Sequence, residues 1–212
     1  MPAQILRESE RDLVPWKNGL GTTAEILISP ADATLDTFDW RLSIADVTTF
    51  AAFSPLPGID RTLVPILGGG IRLVIDGDET AAELYEPVRF SGEADVSGGP
   101  LGDPCRDLNL MVRRGASSGS LRIERVTDPI KLELSATAEG AAPATTSATT
   151  IVAVVLAGSV VVGGSALVDG ASLEPRDALV LTASEASEAG EANDAAVQLV
   201  GPGAILAIVE IG

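Results

Sequence analysis

The stretch "LVPILGGGIRLVI", residues 63–75, decides the fold, because the chain carries it twice. Displaced by 88 residues it falls on "IVAVVLAGSVVVG", residues 151–163. In that ungapped register Gly70 lands on Gly158, Glu86-Pro87 on Glu174-Pro175, and Gly115 on Gly203. Each copy reads as strand, glycine turn, strand, then "EP" before another strand, and a later strand ending at glycine. A repeat of this period predicts two related β-units stacked along one chain. The tract "SATAEGAAPATTSATT", 135–150, lies between the copies and is expected to be their mobile connection.

Working outward, the same grammar fills the chain. Short runs rich in Val, Ile, Leu and Thr recur at intervals of roughly eight to twelve residues, separated by Gly, Pro and Asp. They are "AEILIS", "WRLSIADV", "RTLVPIL", "IRLVIDG", "DLNLMVRR", "SLRIERV", "IKLEL", "IVAVVLAG", "SVVVGG", "ALVLTA", "AVQLVG" and "AILAIVEI". No segment sustains a helical period over three turns. The expected class is therefore all-β, a sandwich or barrel. The expected division is a first unit over 1–115 and a second over 116–212.

Composition narrows the function. The net charge is −16 and the pI about 4.2, with −8 in 1–115 and −8 in 116–212, so the acidity is spread rather than gathered in a tail. Nucleic acid and anionic membranes both want clustered Lys and Arg, so neither is an expected partner. The start "MPAQILRESERDL" offers no apolar signal core, and "IVAVVLAGSVVVGG" is short of the roughly 20 residues of a membrane helix. With the single Cys105, which reads as a small packing residue, the expected location is the cytoplasm. The chain has no histidine, which removes Ser-His-Asp and Cys-His catalysis and every His-based metal site. A metal would need oxygen ligands alone, and no EF-hand spacing occurs. Neither metal nor cofactor is expected.

Chemistry concentrates in the first unit. All seven aromatics (Trp16, Phe38, Trp40, Phe50, Phe53, Tyr85, Phe90) and ten of the fourteen basic residues lie before residue 116. In "WRLSIADV", alternation puts Arg41, Ser43 and Ala45 on one face and Trp40, Leu42 and Ile44 on the other. In "DLNLMVR", Asp107, Asn109, Met111 and Arg113 share a face opposite Leu108, Leu110 and Val112. "FSPLPGIDRTLV" opens a strand with Arg61 after a Pro57-Gly58 turn. Such faces either meet solvent or line a polar lumen, with the apolar face packed on a second sheet or a partner. Arg, Asp, Asn and Ser suit a lumen that holds an anionic or amide ligand, because Arg grips carboxylate with a two-pronged fork. "GLGTT" in "VPWKNGLGTTAEILI", 14–28, is not a phosphate loop, since a strand rather than a helix follows. It reads as a plain turn, or as a loop presenting Trp16, Asn18 and Glu25 to a pocket mouth.

Taken in order, "PWKNGLGTTAEI", "WRLSIADV", "FSPLPGIDRTLVPILGGG" and "DLNLMVRR" resemble the HutD/Ves family of bicupin-like proteins. The resemblance is good over about 10–115 and continues more weakly through "LAGSVVVGG" and "LEPRDALVL". It implies two metal-free cupin-like barrels of jelly-roll type in one chain, a bicupin, and a link to histidine utilisation. It also implies a pocket built from Trp16, Asn18, Thr22, Glu25, Arg41, Ser43, Arg61, Asp107, Asn109 and Arg113. Lys17 departs from the family pattern, where Arg is common. The expected ligand is a small acidic metabolite resembling formylglutamate, formiminoglutamate or urocanate. Arg41, Arg61 and Arg113 would take its carboxylates, while Asn18, Asn109 and Ser43 would pair with its amide or formyl group. Two rivals stand beside this reading. One is a metal-free isomerase or hydrolase using Glu25 or Asp107 as base, although adjacent arginines would lower the carboxylate's pKa. The other is a structural or oligomerisation module; a homodimer is open in each case.

Overall fold

A computed structural model of the chain describes residues 3–16, 21–134, 150–165, 167–183 and 197–212. The connection expected over 135–150 lies outside these residues, except for Thr150, which opens a strand. After β1 (Ala3–Leu6) and one 3-10 turn at Glu8–Glu10, ten strands build the compact unit Arg11–Ser118. They are β2 (Leu13–Pro15), β3 (Gly21–Ser29), β4 (Trp40–Val47), β5 (Ala51–Ala52), β6 (Ile59–Leu67), β7 (Ile71–Ile75), β8 (Asp78–Ala82), β9 (Val88–Ser91), β10 (Val96–Pro100) and β11 (Cys105–Arg113). The second unit, Met1–Glu10 with Gly119–Gly212, holds β12 (Gly119–Arg125), β13 (Ile130–Leu132), β14 (Thr150–Ala157), β15 (Val160–Gly163), β16 (Ser172–Leu173), β17 (Ala178–Thr182), β18 (Val197–Val200) and β19 (Ile205–Ile211). The chain is all-β, and each of the twelve runs singled out in the sequence forms a strand.

Each unit contains two antiparallel sheets. In Arg11–Ser118 these run β2-β3-β4-β11-β6-β9 and β5-β10-β7-β8; in the other unit, β1-β17-β14-β19-β12 and β13-β18-β15-β16. Four strands match four in each pair of sheets: β9-β6-β11-β4 repeats as β17-β14-β19-β12, and β5-β10-β7-β8 as β13-β18-β15-β16. The sequence repeat is thus a repeat of topology. Gly70 and Gly158 turn the chain at equivalent places, from β6 in one sheet to β7 in the other and from β14 to β15, at φ 97° and 71°, a conformation open to glycine. A Cβ on Gly70 would also come within 2.5 Å of the Ala82 carbonyl oxygen.

The matching of Gly115 with Gly203 does not survive. Gly203 lies in the turn between β18 and β19, so its counterpart is Gly102 between β10 and β11, and both have positive φ. The 88-residue offset holds for the first strand–turn–strand only; β11 and β19 begin at Cys105 and Ile205, 100 apart, because the second copy has a longer stretch between β17 and β18. Strand β8 is not among the twelve runs, because "DETAA" is too acidic to look like a strand. The signal was beside it: Asp76-Gly77, both at positive φ, forms the two-residue turn that pairs Ile75 with Asp78.

The division also differs from 1–115 and 116–212. It falls after Ser118, and the first ten residues belong to the other unit. Strand β1 pairs along β17 from Ala3↔Leu181 to Leu6↔Ala178. The buried Asp177 carboxylate fixes the end of that strand, accepting from Arg7 Nη1 at 2.7 Å and from the Glu8 amide at 2.9 Å. Ala3 and Ile5 pack on an aliphatic core that includes Ile151, Val155, Leu179, Leu181, Leu206 and Ile208.

Removing residues 1–10 should therefore loosen the second unit. Hydrogen exchange of the truncated chain is expected to show faster amide exchange in β17, while β6 and β11 keep their protection. Faster exchange in β6 and β11 instead would contradict the division.

Candidate functional site

The centre of the six-stranded sheet carries the polar faces read from the sequence. Cross-strand register aligns them in rows: Glu25, Ser43, Asn109 and Leu63 in one, Ala45, Asp107 and Pro65 in the next. Arg41, Met111, Arg61 and Phe90 form the row on the other side of Asn109. Ser43, Asp107, Asn109 and Arg61 are 2 %, 2 %, 5 % and 7 % exposed, so this is not a wet face. Its neighbours Val47, Leu63, Phe90 and Cys105 form one core cluster with Ile71, Leu73, Ala82 and Val96 of the facing sheet. The polar face, not the apolar one, therefore turns toward the second sheet, which corrects the expected arrangement. Leu42, Leu108 and Leu110 are buried on the opposite face.

Arg61 is the centre of the site. Its guanidinium carbon stands 5.3 Å from the Phe53 ring centre and 5.0 Å from that of Phe90. Those ring faces attract a cation whose water has been stripped away. Burial nevertheless lowers its pKa to about 10, with Asp107 pulling the other way and Arg41 adding to the drop. Asp107 shows the larger departure. Burial raises its carboxyl to about 7, against the opposing pull of Arg61 and of a hydrogen bond from Asn109, and Asp46 adds to the rise. Arg61 does pull the carboxyl down, as expected of a neighbouring arginine, but desolvation outweighs that single cation here.

Three buried atoms of this group have no hydrogen-bond partner: Arg61 Nε, Asp107 Oδ1 and Asn109 Oδ1. An unmade hydrogen bond at a buried polar atom costs roughly 1–3 kcal/mol, and sheets of this size seldom gather three on one face. One is a donor and two are acceptors, a set that a small polar molecule would complete.

The other expected residues divide around this group. Arg41 is committed: its Nε donates to Glu25 Oε2 at 2.8 Å and its Nη1 to Ser43 Oγ at 3.2 Å. The register shift between Glu25 and Leu27 is a bulge in β3, a feature that re-aims side chains at sites. Arg113 is not brought into the group. Its Nε and Nη2 donate to the backbone carbonyls of Phe38 and Asp36 at 2.7 and 2.9 Å, and it lies over the Phe38 ring. Trp16 is half-buried, donates its indole N–H to Thr23 Oγ1 at 2.7 Å, and packs on the same core cluster as Leu63 and Phe90. Asn18 lies outside the described residues. Thr22 donates to Asp46 Oδ2 at 2.6 Å, and Arg106 Nε reaches Asp46 Oδ1 at 2.6 Å. These three floor an open cleft of about 490 Å³ at the sheet end, lined also by Pro15, Leu67 and Cys105. The cleft does not include Arg61, Asp107 or Asn109 in its lining.

Phe53, Phe90, Asp46 and Arg106 were missed as site residues. The aromatic pair could be suspected only from the concentration of rings before residue 91. Asp46 and Arg106 each interrupt an apolar face at its end, and the register places them opposite one another. Among the described residues no group of three or more Cys, Asp or Glu is gathered as a metal site.

The HutD family profile matches residues 8–199. The chain belongs to the HutD family. A 21.2 kDa protein encoded in the hutC 3′ region of Pseudomonas putida is 41 % identical over 109 residues, 51 % of this chain and 57 % of that protein. Protein Ves of Escherichia fergusonii is 36 % identical over 110 residues, 51 % of the chain and 56 % of Ves. The chain thus matches about half the length of these relatives. A crystal structure of a conserved protein of unknown function from Pseudomonas aeruginosa superposes with a TM-score of 0.78 at 28 % identity, covering 100 % of this chain and 99 % of that one. HutD from Pseudomonas fluorescens gives 0.74 at 25 % identity, covering 99 % and 98 %. In this HutD-family chain no helix among the described residues is long and apolar enough to cross a membrane.

Asp107 gives a stability test. Its folded-state pKa is raised above the ordinary carboxylate value, so the folded state binds the extra proton and stability falls as pH climbs between the two values. Asp107→Asn keeps the neutral form throughout. Urea unfolding should show the variant gaining on the wild type from about pH 4 to pH 7 and holding a constant lead above, on the order of a few kcal/mol. A lead that shrinks over this range would contradict a buried, neutralised Asp107.

Proposed function

We propose that this HutD-family protein binds a small anionic metabolite on the inner face of the Arg11–Ser118 unit, in a role tied to histidine utilisation. The observation that carries the reading is Arg61, a buried guanidinium with its Nε unpartnered beside the unpartnered oxygens of Asp107 and Asn109. A carboxylate supplies what Nε lacks, and an N–H or O–H on the same ligand supplies what Asn109 Oδ1 lacks. Formylglutamate-like and formiminoglutamate-like acids have both features; urocanate offers a ring N–H. Glu25, Arg41 and Ser43 form the adjoining wall, and Thr22 belongs to the cleft at the sheet end. The link to histidine utilisation is supported by the family and by the hutC-adjacent relative. Two cupin-like barrels, no metal and a cytoplasmic setting complete the reading.

One observation favours a second reading. With its pKa near 7, Asp107 is poised to accept and return a proton at neutral pH, as a metal-free isomerase would require. Turnover of a bound acid separates the two.

The experiment is calorimetric titration of N-formylglutamate and urocanate into wild type, Arg61→Lys and Arg176→Ala, with circular dichroism to check folding. Lysine keeps the charge but loses the planar fork, and a charge-assisted hydrogen bond is worth about 1.5–3 kcal/mol. Arg61→Lys should therefore bind roughly ten- to more than a hundredfold more weakly, while Arg176→Ala, in the other unit, binds as wild type does. Equal affinities for Arg61→Lys and wild type would overturn the reading.

A further inference from the structure

The charges around Arg61 do not leave room for a second anion. Within the group Arg61 is opposed by Asp107, and Arg41, the other arginine that acts on it, is already committed to Glu25 at 2.8 Å. Among the described residues the charged or titratable groups around Asp107 are few. They are Arg61 from β6, Arg41 and Asp46 from β4, Glu25 from β3 through Arg41, and Cys105 on its own strand. Asp46 is engaged with Thr22 and Arg106, and the facing sheet contributes Ile71, Leu73, Ala82 and Val96, which carry no charge. A carboxylate docked on Arg61 would thus place two anions against one cation, out of water. Two carboxylates that share such a site do not both stay ionised.

The ligand-facing oxygen points the same way. Asp107 Oδ1 has no donor, and as an ionised acceptor it would face the oxygens of the incoming acid. With a proton it becomes an O–H donor, the partner a ligand carboxylate or carbonyl oxygen needs. We infer that Asp107 is the specificity-determining residue of this site: it takes up a proton as an acid docks on Arg61, so the ligand is bound as a carboxylate plus one proton. This rests on the anion-binding reading of the site. Burial has already brought the carboxyl to about 7, which makes the uptake inexpensive at neutral pH. The proton comes from hydronium or a buffer acid, whose bond to hydrogen breaks as the Asp107 O–H forms, and no other bond changes.

The sign follows directly. Below about pH 7 Asp107 is neutral in the empty site, so affinity is flat and no proton is exchanged. Above it the empty site is ionised, and affinity falls by up to tenfold per pH unit as each binding event draws a proton from solution. Ligands that offer only a neutral amide gain nothing from this and should not share the dependence.

The test is calorimetry with N-formylglutamate and acetate from about pH 5.5 to pH 8.5, in buffers of high and low ionisation enthalpy, which counts protons directly. Wild type should bind roughly thirtyfold more weakly near pH 8.5 than near pH 6, taking up close to one proton. Asp107→Asn should bind near pH 8.5 as tightly as wild type near pH 6, with no proton uptake. Flat wild-type affinity with no proton uptake would overturn the role of Asp107 and leave the anion site standing. The same pH dependence persisting in Asp107→Asn would also overturn it. Absence of binding to wild type at every pH would overturn the anion site and the proton uptake together. The wild-type proton count alone decides the matter if the variant does not fold.

Discussion

A charged guanidinium held on the inward face of a β-sheet is the constraint on which the rest of the Arg11–Ser118 unit depends. Taking an ion out of water costs several kcal/mol unless the surroundings compensate. Here the compensation comes from three sides: the faces of Phe53 and Phe90, the carboxyl of Asp107, and the amide of Asn109 that supports it. The compensation is incomplete, since three polar atoms are left unmatched. A fold that needed only a core would fill this face with aliphatic side chains, as the other unit does. Completing these atoms is what the proposed ligand would do.

The internal repeat makes that comparison possible within one chain. Strands β14 and β19 occupy the places of β6 and β11, and their inward residues Ile151, Ala153, Val155, Leu206 and Ile208 form a dry aliphatic core. Charges elsewhere in that unit pair with one another, as Arg122 does with Glu124 and Glu210 where the side chains are partly exposed. The equivalent face of the Arg11–Ser118 unit carries Arg61, Asp107 and Asn109 instead.

Much of this was legible in the sequence. Period-two alternation placed Arg41 with Ser43 and Asp107 with Asn109, and the structure joins those pairs through the Asn109↔Ser43 register. Alternation says which residues share a face but not which way the face turns, so the polar face was assigned to the wrong side of the sheet. That choice is made by burial of whole layers, which a single strand does not reveal. Arg113 shows the same limit at its end: it shares a face with Asp107, yet its fork is taken up by two backbone carbonyls that approach only in the folded chain. The pull of an arginine on Asp107 could be expected from the sequence, but the depth of burial that outweighs it could not. The strand β1 crossed units for a reason equally invisible, the pairing with β17 and the grip of Asp177 on Arg7 and Glu8.

The central claim concerns one side chain, so the most direct measurement observes it. In a spectrum of the arginine Nε–H groups of the intact protein, Arg61 should give a resonance distinct from those of Arg41 and Arg113, whose Nε atoms already donate to Glu25 and to the Phe38 carbonyl. Titration with N-formylglutamate should move the Arg61 signal toward that of a charge-assisted hydrogen bond and leave the Arg113 signal where it was. A stationary Arg61 signal while the ligand binds elsewhere would contradict the account.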